Sequence, residues 1–110
     1  MRFETEGPIT ILYNTGEPLE DFLNQLTQEY PSFDKQHLVV DLTDRSDIRV
    51  SELKAFLPLA KAHRKAKKTF VVVIPDVDFN KTPAQLHVVP TRQEAHDLIE
   101  MEEIERDLGF

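Results

Sequence analysis

The chain has 110 residues, 40% of them hydrophobic, which suits one domain around one core and leaves no room for separate catalytic and regulatory halves. It has no cysteine, which excludes disulfides, thiolate zinc sites, iron–sulfur clusters and cysteine nucleophiles and makes a reducing cytoplasm the expected setting. Twenty acidic against thirteen basic residues give a formal charge of −7, which disfavours nucleic acid. No charged leader and no run of roughly 18 apolar residues is present, so neither export nor membrane insertion is expected.

MRFET and ITILY, residues 1–5 and 9–13, are short runs of β-branched and aromatic residues around Glu6-Gly7-Pro8, and they read as a hairpin. After Asn14-Thr15-Gly16, the residues Leu19, Phe22, Leu23, Leu26 and Tyr30 recur at helical spacing until Pro31, which predicts an amphipathic helix. HLVVDL, residues 37–42, is almost continuously apolar, the pattern of a central strand covered on both faces. From Ser51, Leu53, Phe56, Leu57 and Ala60 form a second helical stripe; Pro58 predicts a kink inside it, and the basic residues Lys61, Arg64, Lys65, Lys67 and Lys68 close it. TFVVVI, residues 69–74, is a second buried strand stopped by Pro75, and LHVV, residues 86–89, is a shorter one. Thr91 then stands as a helix cap with Glu94 three residues on. The helix behind it has a stripe read as Ala95, Leu98, Met101, Ile104 and Leu108, and it stops at Gly109.

The order β-β-α-β-α-β-β-α predicts a single α/β domain over residues 1–110. Its mixed sheet should have four to five strands and about three helices, with parallel pairs made by crossovers. The expected core is Leu38, Val40, Phe56, Leu57, Val71, Val73, Leu98 and Ile104.

Three pieces carry a family likeness: LVVDLTDRSDIRVSEL followed by a helix, the strand TFVVVI, and the closing VVPTRQEAHDLIE. Together they resemble the STAS domains of anti-sigma-factor antagonists, and the likeness implies a STAS-like mixed sheet. In phosphorylatable members of that family an Asp-Ser-Ser-Gly-Leu motif opens the helix and its second serine accepts phosphate. Ser51 falls on that serine and Leu53 on the leucine, while Arg49, Val50 and Glu52 replace the aspartate, the first serine and the glycine. A narrower likeness is to small bacterial proteins with an acidic tail like residues 100–110, some of which carry the name ribonuclease Z. Enzymes of that name bind zinc through His-x-His-x-Asp-His, and this sequence contains no such motif.

Ser51 reads as a helix cap, worth about 1 kcal/mol, or as a phosphate acceptor, for which Asp44, Asp47 and Glu52 are repulsive neighbours. Asp76, Asp78 and Asn80 have the first three ligand spacings of a calcium loop, but Lys81 stands for its glycine and His87 for its closing glutamate. The basic run of residues 61–68 fits a helix C-terminus, and could meet an acidic partner or the chain's own tail. Residues 94–107 hold seven acidic side chains and one arginine, which makes the last helix a candidate for docking a basic protein surface. His37, His63, His87 and His96 are isolated in sequence, there is no glycine-rich phosphate loop, and no catalytic residue, metal site or cofactor is expected.

The expected function is a non-enzymatic regulatory module that binds another protein, with a homodimer also open. The partner-binding candidates are Asp44, Asp47, Arg49 and Glu52 in the first region and Glu100, Glu102, Glu103 and Arg106 on the last helix. The alternatives are an RNA-processing component associated with ribonuclease Z and a small-ligand sensor domain.

Overall fold

A computed structural model describes residues 1–45 and 47–109; Ser46, inside the STAS-like stretch, and Phe110, at the end of the acidic tail, lie outside them. Five strands, β1 (Arg2–Glu6), β2 (Ile9–Tyr13), β3 (His37–Asp41), β4 (Phe70–Val73) and β5 (His87–Val89), form one sheet in that order. β1 pairs antiparallel with β2, and every other neighbouring pair is parallel. The hairpin turns on Gly7 and Pro8, with Gly7 at φ +58°, a left-handed conformation that suits the first central residue of a two-residue II′ loop. α1 (Leu19–Glu29) connects β2 to β3, a 3-10 helix (Val50–Phe56) and α2 (Leu57–Lys65) connect β3 to β4, and α3 (Arg92–Asp107) follows β5. The element order and the mixed sheet are those expected from the sequence.

Side chains alternate across the pleat, so each central strand serves two cores. Leu38, Val40, Phe70 and Val72 pack with Phe22 and Leu26 of α1 and with Leu53, Phe56 and Leu59. Ile11, Val39, Val71 and Val73 point the other way and meet Ala95 and Ile99 of α3. Burying a side chain of this size contributes roughly 1.5–3 kcal/mol, which explains why β3 and β4 carry apolar residues on both faces.

Two expectations need correction. Pro58 does not kink a continuous helix. Val50, Leu53 and Phe56 repeat every third residue, the 3-10 period, whereas Leu59, Ala60 and His63 follow α spacing, and the geometry changes at Leu57. The Leu57 amide donates to the Lys54 carbonyl, which an uninterrupted α-helix would have left to the missing N–H of Pro58. The second correction concerns the core. Leu38, Val40, Phe56, Val71 and Val73 are fully buried and Leu57 and Leu98 half-buried, but Ile104 is 60% exposed. The inward face of α3 is Ala95 and Ile99, continued by Glu102 and Arg106, and Met101, Ile104 and Leu108 lie outside.

Candidate functional site

The loop that begins at Asp41 is organised by local hydrogen bonds. Asp41 is buried at the end of β3; one of its carboxylate oxygens accepts from both the amide and the hydroxyl of Thr43, and the other lies 3.7 Å from Arg92 of α3. Arg92 also donates to the Tyr13 hydroxyl at 2.9 Å, which links the start of α3 to the end of β2. Arg45 bonds Asp47 through Nε at 2.8 Å and Nη2 at 3.0 Å, and that contact holds the exposed Asp47 carboxyl below its ordinary range. Arg49 caps the 3-10 helix by its backbone: its amide donates to the Glu52 carboxylate at 2.9 Å and its carbonyl accepts the Glu52 amide.

Ser51 is therefore not the cap. Its side chain is exposed and, among the described residues, makes no hydrogen bond, because the helix starts at Val50, Arg49 holds the cap position and the Glu52 carboxylate takes the Arg49 amide. Asp44 is exposed too. Four of the candidates in this region are charged, and three of those, Asp47, Arg49 and Glu52, are engaged locally.

On α3 the predicted acidic face divides into two. Glu102 and Glu103 turn inward: Glu102 accepts from the Thr69 hydroxyl at 2.7 Å and from Arg106 at 3.3 Å, and it lies 3.0 Å from His87. Glu103 meets His37 at 2.5 Å. These contacts fasten the second half of α3 to the starts of β3, β4 and β5, where Ile99 is the last apolar anchor. Glu100, Glu105 and Asp107 remain exposed and, among the described residues, form no ion pair.

The buried histidines have defined hydrogen positions. The Nδ1 of His37 accepts the Thr69 amide at 3.0 Å, so the proton sits on Nε2 and is donated to Glu103. The Nε2 of His63 lies 2.6 Å from the Gln36 carbonyl, which only accepts; Nε2 therefore donates, and Nδ1 accepts from the Tyr30 hydroxyl at 2.6 Å. Burial pushes both imidazoles below the usual histidine range. Glu103 opposes this at His37 while Lys68 and Arg106 reinforce it, and at His63 the Gln36 carbonyl opposes it. His63 belongs to the core although its neighbours in sequence are cations, since it sits four residues after Leu59 on the inward face of α2.

Beside this network a cleft of about 160 Å³ opens between α2 and α3, lined by Arg64, Lys68, His87, Glu102, Glu105 and Arg106. Its charges are mixed and Glu102 is already shared among three partners. The Thr69 hydroxyl is donated to a carboxylate, and His37 receives the Thr69 amide, so the hydroxyl beside this cleft is not paired with a histidine base. Asp78 caps the short 3-10 helix Phe79–Lys81 by accepting the Asn80 amide at 3.0 Å, a local role in place of the calcium-loop pattern. Among the described residues, no three histidine or acidic side chains come together as a metal site.

The chain matches no family model and no curated protein. The surface that stands out chemically is the outer side of α3. Met101, Ile104 and Leu108 are 52%, 60% and 66% exposed, and Glu100, Glu105 and Asp107 flank them. The sequence marks Met101, Ile104 and Leu108 as part of one helical stripe, and of the three Ile104 is the one expected in the core. The signal that separates them is the four-residue step from Ala95 to Ile99, which sets the inward direction and turns Ile104 away from the sheet.

Proposed function

We propose that this chain is a non-enzymatic regulatory module of STAS type that works by binding another protein through the outer face of α3. The carrying observation is the exposure of Met101, Ile104 and Leu108 side by side on a helix whose other face is fixed to the sheet. Neighbouring large apolar side chains on a rigid surface mark an interaction site more often than scattered ones do. The STAS-like stretches around residues 38–53 and 88–100 support the regulatory class, and the β-β-α-β-α-β-β-α order agrees with it.

Zero-length carbodiimide cross-linking in native lysate tests this reading, because it joins carboxylates to lysines in direct contact. The expected result is cross-links from Glu100, Glu105 or Asp107 to lysines of a second protein. Cross-links that avoid α3 altogether would overturn it, as would cleavage of precursor RNA by the purified chain that disappears in His37→Ala.

A further inference from the structure

The outer row of α3 has a spacing that specifies more than stickiness. Met101, Ile104 and Leu108 stand three and four residues apart, the a-d-a step of a heptad, and the row is about 10 Å long at 1.5 Å per residue. In the same frame Glu100 and Asp107 precede the two a positions and Glu105 follows the d position, so acids occupy the places that border a helix–helix seam. Glu102, Glu103 and Arg106 fall in the remaining positions, which face the sheet and bond to His87, Thr69 and His37. The helix is thus held by one side and presents a short seam with acidic borders on the other.

We infer that the occupant of this seam is a basic amphipathic helix of another protein, with an apolar stripe that packs on Met101, Ile104 and Leu108 and with lysine or arginine beside it to meet Glu100, Glu105 and Asp107. This deepens the protein-binding reading above and rests on it. Charge decides between a foreign helix and a second copy of this chain. Two copies would bring acidic borders together in a chain that already carries −7, whereas a basic border gains from every one of them. The seam spans only two turns, which suits a transient contact whose rate of formation depends on salt.

The test uses the full chain and two synthetic helices with one leucine seam between them in design, the first bordered by lysine and the second by glutamate. Fluorescence anisotropy should show binding of the lysine helix, weakened by added salt, and no binding of the glutamate helix. The double variant Ile104→Ser/Leu108→Ser keeps every charge and alters only exposed side chains, so its melting temperature should stay unchanged. Its affinity for the lysine helix should fall about tenfold or more, the loss expected when two apolar contacts go unmade. Undiminished binding by the double variant would sink the inference, and so would equal binding of the two helices. A full-chain dimer in sedimentation that the double variant abolishes would assign the seam to a second copy instead. If the double variant still cross-links to a protein in lysate, protein binding stands and the partner chemistry assigned here falls.

Discussion

His37 and His63 are each bonded as the neutral ring, with a donor already pointing at Nδ1 and an acceptor at Nε2. Protonating either one sets a new N–H against an existing donor in a buried place, which agrees with their depressed pKa values. An unfolded chain takes up these protons near about pH 6.5, while the folded one resists until lower pH. The unfolded state therefore binds more protons in that window, and the stability contributed by the neutral rings is present above it and lost as pH falls through it. Urea unfolding should show stability declining between about pH 7 and pH 5.5, and the decline should be shallower in His37→Gln; a flat profile would contradict the assigned tautomers. Ser51 gives a second residue-scale expectation. Since its side chain is exposed and Glu52 holds the Arg49 amide, Ser51→Ala should change stability by less than about 0.5 kcal/mol and Glu52→Ala should cost about 1 kcal/mol. Serine is a favoured cap, so its position in the sequence suggested that role. The switch to 3-10 geometry moved the helix start to Val50, where a backbone amide and a glutamate do the capping.

At the scale of elements, α3 shows how a correct helix can carry a wrongly phased stripe. Ala95, Leu98, Met101 and Ile104 are successive steps of three, and each such step turns about 60° backward around a helix of 3.6 residues per turn. Three steps carry the stripe from the buried side to the opposite one. Ile99→Ala should cost about 2–5 kcal/mol by opening a cavity against the sheet, while Ile104→Ala should stay within about 0.5 kcal/mol. Comparable losses from the two substitutions in denaturant unfolding would reject this orientation. The end of α2 offers a gain. Lys67 adopts φ +63°, with its amide on the Arg64 carbonyl at 2.9 Å and the Lys68 amide on the His63 carbonyl at 3.1 Å, the two bonds of a Schellman ending. That position favours glycine, and Lys67→Gly should raise stability by about 1 kcal/mol in the same measurement.

Across the whole molecule, the sheet is the common wall of two cores, so β3 and β4 tolerate no polar residue in their middles. Val40→Asp would bury an unpaired carboxylate among Leu12, Leu38, Phe56 and Val72 and should cost several kcal/mol, a large part of the roughly 5–15 kcal/mol that holds a domain. Loss of the cooperative transition in circular dichroism is the expected result, and a normal transition would mean that this face is not sealed. The sequence by itself determined the element order, the hairpin, the doubly covered strands and the Thr91 cap, because each depends on local chemistry: turn residues, apolar runs of strand length, and a hydroxyl that accepts the Glu94 amide at 3.1 Å. It also marked the acidic last helix. Only the tertiary structure decided which way that helix faces, since its inward side continues beyond Ile99 in charged residues whose partners, His37, Thr69 and His87, come from three different strands or their edges. Side chains that are polar in sequence became the half-buried anchor and apolar ones the exposed seam, because hydrogen bonds across sequence separations of 33 and 66 residues leave no periodic signal along the chain.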